Sequence, residues 1–188
     1  MPDTGSAADL SRPDARRTGL VVAVPAAEPL VSDFRRRWHA DSVARCIPAH
    51  VTILFPFVTV EALDGAMRDR VASHFREQQA FDASLVEVGR FPEHAWLAPA
   101  PKERFADLIA ATCEQFPETP PYEGAFDPPE AHLTVCEAGD GQPIDALIEA
   151  AERELAPGLP LRFRVDAATL FEEQVDGTWA AADVFRFG

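Results

Sequence analysis

Lysine is nearly missing from this 188-residue chain: of 17 basic residues only Lys102 is a lysine, beside one tyrosine and three cysteines. Three cysteines without a CxxC pair make neither a disulfide framework nor a zinc motif. No stretch approaches about 18 uninterrupted apolar residues, so no membrane span is expected. Positive charge as a whole is short, with 31 acids against 17 bases and a formal charge of −14. That balance excludes a general nucleic-acid coat protein, which needs a basic surface to neutralise phosphates, and it argues against docking on anionic membranes. A Gly-rich phosphate loop is absent too. Gly139 and Gly141 lie in AGDGQP, without the spacing of a dinucleotide or P-loop motif. Residues 1–17 are polar and lack the apolar run of a signal peptide. They read as a disordered leader before a single domain over 18–188, and the expected location is cytoplasmic.

What is present is enough apolar sequence, 47% of the chain, for a sizeable core. Thr18 to Val24, His50 to Phe57, Phe81 to Phe91, Ala95 to Ala98 and His132 to Cys136 are β-prone runs bounded by turn residues. Leu161 to Glu172 and Thr178 to Phe187 read as a final hairpin turned at Asp176-Gly177. Helical spacing predicts helices from Ser32 to about His39, with Ser32 as cap, and from Glu61 to about Gln79, where Leu63, Met67, Val71 and Phe75 recur every four residues. Two more are predicted over Glu103 to Phe116 and Pro143 to Leu155. Between them, FPETPPYEGAFDPPE has five prolines in fifteen residues, which disfavours regular structure. Few of the strands are followed directly by a helix and a parallel partner. The class is therefore α+β with mainly antiparallel sheets rather than a doubly wound fold.

One pattern occurs twice. His50-Val51-Thr52-Ile53 and His132-Leu133-Thr134-Val135 are both His-apolar-Thr-apolar, both preceded by Ala, and 82 residues apart. Side chains alternate on a strand, so His50 and Thr52 project from one face while Val51 and Ile53 enter the core; His132 and Thr134 do the same. Two such strands facing one cleft would offer two imidazoles and two hydroxyls. An imidazole, with an ordinary pKa of about 6.5, can give or take a proton near neutrality. Two of them on opposite sides of a phosphorus suit an in-line displacement: one activates the nucleophile and the other protonates the leaving oxygen. Each threonine hydroxyl can donate to a non-bridging oxygen.

On these residues the chain resembles the 2H phosphoesterases, and within them the bacterial 2′-5′ RNA ligase-like group. PAHVTILFPF (48–57) and EAHLTVCEAG (130–139) match the two motifs. FDASLVEVGRFPEHAWLAP (81–99) looks like the central strand pair, and VDGTWAAADVFRFG (175–188) like the closing hairpin. The resemblance implies a bilobal α+β fold, two mainly antiparallel sheets flanking a central cleft with helices outside. It implies metal-independent hydrolysis of 2′,3′-cyclic phosphates or related RNA ends, without a cofactor. His50 would be the general acid and His132 the general base. The alternative is a non-catalytic nucleotide- or phosphate-binding module of the same fold.

There is one departure from the group. Where many members carry a basic residue just after the second motif, this chain has Cys136 and Glu137, and residues 105–152 contain eleven acids and no Lys or Arg. Like-charge repulsion then favours a small nucleotide or cyclic phosphate, with short RNA ends as the longest substrate, and neither DNA nor membrane as partner. A monomer is expected. Arg90 and Arg45, the bases nearest the motif elements, are candidates for a phosphate clamp or for a surface role. Phe57, Tyr122 and Phe126 are candidates for contact with a base, whereas Phe55, on the Val51/Ile53 face, reads as core. Trp96 and Trp179 read as packing residues. His39, His74 and His94 lack a His or Cys at metal-ligand spacing, so no metal site is expected.

Overall fold

The computed structural model describes residues 15–124, 130–139 and 143–188. Two four-stranded sheets form the framework, and every strand pair in them is antiparallel. In the first sheet β1 (Thr18–Ala23), β2 (His50–Leu54), β7 (Ala167–Glu173) and β8 (Trp179–Arg186) lie in the order β2-β1-β7-β8. In the second, β3 (Phe81–Arg90), β4 (His94–Ala100), β5 (Leu133–Glu137) and β6 (Leu161–Val165) lie in the order β5-β4-β3-β6. The architecture is the expected α+β with two antiparallel sheets. Each motif strand is an edge strand of its own sheet, and the two edges, β2 and β5, pack against each other.

The expected final hairpin is corrected in one respect. Leu161 to Glu172 is two strands, not one: the chain leaves the second sheet after Val165 and joins the first at Ala167. Asp166 is the exposed joint. Its carbonyl accepts from Phe187 N–H at 2.9 Å and its carboxylate pairs with Arg186 at 3.1 Å. The predicted turn is present, with Gly177 at φ +80° and Asp176 accepting from the N–H and hydroxyl of Thr178.

Helices α1 (Glu28–Trp38), α2 (Ala40–Ala44), α3 (Gly65–Arg76), α4 (Lys102–Gln115) and α5 (Ile144–Leu155) cover the sheets. Helix α1 begins a turn earlier than Ser32, because Pro29 sits in its first turn, where a missing N–H costs nothing. Ser32 instead donates to Glu28 Oε2 at 2.7 Å. Helix α3 starts at Gly65 rather than Glu61: Asp64 caps it by accepting from Met67 N–H at 2.8 Å. The helices cross between halves. Helix α1, which follows β1, packs on β5, while α4, which follows β4, packs on β2. One continuous core, including Phe34, Val51, Phe75, Leu97, Phe105 and Leu133, joins both sheets. Among the described residues no helix is long and apolar enough to cross a membrane.

Pairing starts before the expected domain boundary. Arg16 pairs with Glu61 and accepts from Val60 N–H through its carbonyl, and Arg17 binds Glu173.

Candidate active site

The two motifs are built alike at three levels. In each, the His ring Nδ1 lies 2.7 Å from the carbonyl two residues earlier: Pro48 for His50, Glu130 for His132. A carbonyl only accepts, so Nδ1 carries the proton and Nε2 is left as the free basic nitrogen. In each, the residue after the Thr is a bulge. Thr52 pairs with Val21 and Leu54 with Leu20, which skips Ile53; Thr134 pairs with Trp96 and Cys136 with Ala95, which skips Val135. Beside each, a glycine makes room for an aromatic ring: Gly19 on β1 for Phe55 at the end of the first motif strand, and Gly89 on β3 for Trp96 on β4, the neighbour of the second. A Cβ on Gly19 would sit 3.0 Å from Phe55, and one on Gly89 would sit 2.5 Å from Trp96.

The bulge in β2 overturns one reading of the sequence. Strict alternation puts Phe55 in the core, but Ile53 and Leu54 are both buried, so the phase changes there. Phe55 returns to the face of His50 and Thr52 and lines the cavity. By the same shift Cys136 is fully buried, and Glu137 takes the position on β5 that corresponds to Phe55. Phe57, expected to be available to a base, is also fully buried, edge-on to Phe116 at 5.1 Å.

Burial sets the electrostatics. Desolvation lowers His50 to about 4; the bond to Pro48 opposes this, and Arg35 and His132 add to it. Desolvation also lowers His132, against its bond to Glu130, with His94 adding to the effect. Both imidazoles are therefore neutral at pH 7 in the free protein. Phe91 stands edge-on to His132 at 5.0 Å, and Trp96 is 6.1 Å from it.

Tyr122 lies over the first motif. Its N–H donates to Phe55 O at 2.7 Å, and its phenol shares a hydrogen bond with Thr52. Burial pushes that phenol up and the Thr52 bond pulls it back. Its φ of +49° marks a tight turn that brings residues 121–124 onto the end of β2. Phe126 lies outside the described residues. Arg90 is exposed and paired with Asp145 at the start of α5 at 2.7 Å, and it does not line the cavity beside His50. Arg45 is at the cleft. With Arg17, His50, Thr52, Phe55 and Trp179 it lines a cavity of about 290 Å³ in the first sheet's half. Trp179, which reads as a packing residue in the sequence, lines this cavity, and so does Arg17, which nothing in its local sequence marks; β1 and the β7–β8 hairpin bring them there. No group of three or more His, Cys, Asp or Glu side chains among the described residues is arranged to hold a metal.

Residues 23–177 match the family described as the 2′-5′ RNA ligase superfamily. The chain belongs to this superfamily. Among solved structures, E. coli LigT complexed with 3′-AMP has 15% identity and a TM-score of 0.62, with 92% of this chain and 98% of that one covered. A protein described as a phosphoesterase has 15% identity and a TM-score of 0.59, with 92% and 98% covered. A Thermus thermophilus protein, TT0787, has 15% identity and a TM-score of 0.55, with 90% and 97% covered. LigT has also been solved with NADP+, ATP and phosphate. No curated protein matches the sequence. At these identities the structural likeness establishes the shared fold, and the superfamily match makes the chain a 2H phosphoesterase-type protein.

Proposed function

We propose that this protein is a metal-independent phosphodiesterase that opens 2′,3′-cyclic phosphates, or a related small cyclic phosphoester, by two-histidine acid/base catalysis. The observation that carries the reading is the matched pair of imidazoles on packed edge strands, each with Nδ1 engaged by a backbone carbonyl and Nε2 making no hydrogen bond among the described residues. A pure binder has no need of two such proton-transfer groups. That LigT has been solved with 3′-AMP and with phosphate supports a phosphate in the corresponding cleft.

In this mechanism His132 Nε2 takes a proton from water as the water oxygen attacks phosphorus. The bond from phosphorus to one ribose oxygen breaks, and His50 Nε2–H gives its proton to that oxygen, leaving a phosphomonoester and a free hydroxyl. Thr52 and Thr134 donate to the non-bridging oxygens as charge builds there. His50 is neutral in the free protein, so it is charged on binding. The phosphate anion displaces water and stabilises the imidazolium that desolvation alone disfavours. A histidine held low is then a strong acid toward the departing alkoxide.

The test is turnover of 2′,3′-cyclic nucleotides at neutral pH, followed by separation of the phosphomonoester product. Hydrolysis that survives exhaustive chelation is expected. Loss with EDTA and recovery with a divalent ion would reject the metal-free mechanism. Tight binding of a cyclic nucleotide with no product would move the chain to the binding-module class.

A further inference from the structure

On a chain of net charge −14, the formal charges lining the cavity in the first sheet's half are two arginines, Arg17 and Arg45. Arg17 holds Glu173 through Nε at 3.1 Å and Nη2 at 3.3 Å, and Arg45 holds the same carboxylate through Nη2 at 2.7 Å. Burial pushes Glu173 up, but its bonds from Arg17 and the charge of Arg45 outweigh that and keep it ionised. Two guanidiniums against one carboxylate leave a net positive charge. Arg45 is further fixed by donating from Nε to Gly177 O at 3.1 Å, and Arg17 lies 5.6 Å from the centre of the Phe55 ring. In both arginines Nη1 makes no hydrogen bond among the described residues. Neutralising Glu173 requires one of these arginines; fixing both on it beside an apolar cavity pre-arranges donors for a second anion.

The other half of the cleft has the opposite sign. Glu137 occupies the bulge-shifted position that matches Phe55, and it lies 3.6 Å from His94. The cleft is therefore polarised, positive beyond His50 and negative beyond His132. Arg17 is four residues before Val21, the partner of Thr52, or about 13 Å along the strand. A nucleoside joining two phosphates can span that length once side chains reach inward from both ends.

We infer that Arg17 and Arg45, oriented by Glu173, form a second anion subsite, which selects mononucleotide-type cyclic phosphates carrying a further phosphate on the far side of the nucleoside. This rests on the phosphodiesterase reading, with the reacting phosphorus between His50 and His132. Phe55 and Trp179, whose rings meet edge-on at 5.8 Å, form the apolar wall between the two phosphates.

The experiment compares adenosine 2′,3′-cyclic phosphate with the same compound bearing a 5′-phosphate. The 5′-phosphate is expected to lower KM about tenfold or more, the scale of one charge-assisted contact. That ratio should fall to near one in the Arg17→Gln/Arg45→Gln double variant. It should also shrink in the unaltered protein at about 1 M salt, where charge contacts are screened, so the result stands even if the variant fails to fold. Equal KM values in the unaltered protein, or a ratio indifferent to salt, would overturn the subsite while leaving the phosphodiesterase intact. A larger gain for a dinucleotide ending in a cyclic phosphate would overturn the mononucleotide assignment in favour of RNA ends. If neither compound is hydrolysed, the phosphodiesterase reading fails alone. The subsite is then read by calorimetry, where adenosine 3′,5′-bisphosphate must bind about tenfold more tightly than adenosine 3′-monophosphate, and equal affinities would overturn it.

Discussion

A histidine held near 4 and assigned as an acid sets a condition on binding. His50 must gain its proton with the substrate, so phosphate affinity should rise as pH falls from about 7 toward 5, with net proton uptake. Calorimetry of 3′-AMP binding in buffers of different ionisation enthalpy measures that uptake directly. His50→Ala should abolish it; uptake that survives this substitution belongs to another group. The two histidines then separate by leaving group. On a natural cyclic phosphate each Ala substitution should cost roughly 10²–10⁴-fold. On a nitrophenyl ester, whose phenolate departs without a proton, His50→Ala should recover much of its rate while His132→Ala stays slow. Rescue of His132→Ala instead would exchange the two roles.

The elements explain how His50 comes to be held so firmly. Helix α1 reaches behind the strand that carries it. Arg35, 3% exposed, donates to Ile47 O at 2.7 Å and to Ser42 Oγ at 3.0 Å, and Glu28 accepts from Ala49 N–H at 2.6 Å. Both residues flanking Pro48 are thereby fixed, and Pro48 O is the acceptor that orients the imidazole. The same helix packs on β5, so one rigid element refers both motifs to each other. Arg35→Leu removes two bonds and the cation 3.8 Å from Glu28, for a loss of about 2–3 kcal/mol in urea unfolding. kcat should fall more than KM rises, because the substitution misplaces a proton donor and leaves the phosphate contacts in place. A variant with full stability loss and unchanged kcat would confine Arg35 to packing.

Much of this level was legible. The paired His-x-Thr strings, the strand periodicity around them and the helix at 102–115 follow from local pattern. The bulges did not: a run such as HVTILF has the same alternation with or without an extra residue, and only its neighbour decides which side Phe55 takes. Nor did the switch at Asp166, because an unbroken β-prone run does not say which sheet it pairs with. Arg17 and Arg45 meet only through Glu173, 156 and 128 positions away, a juxtaposition that no spacing rule encodes.

At the scale of the whole molecule, the histidines and the carboxylates act on stability in different pH ranges. Desolvation lowers His39 to about 4, with Arg35, His94 and His50 adding to it; His50 is lowered to the same value, and burial lowers His74 and His132 as well. In the unfolded chain these rings take up protons at about 6.5. Between about pH 6.5 and 4 the unfolded state therefore binds more protons than the folded one, and stability must fall as pH falls through that window. Carboxylates held low by arginine, such as Glu173 and Glu118, add their own loss only below the ordinary carboxylate range. Relief of the repulsion from a charge of −14 works the other way, but it needs carboxylate protonation and so is small above about pH 5. Thermal unfolding should accordingly show Tm nearly level from about pH 8 to 7 and falling from about 6.5 downward, before the acids titrate. His39→Gln removes one of the two strongly lowered groups and keeps a polar side chain at the helix end. Its Tm should fall less steeply over that window than the parent's and run parallel to it above about pH 7. A parent Tm that rises between about pH 6.5 and 5 would mean that charge repulsion, rather than the buried imidazoles, governs the fold in mild acid.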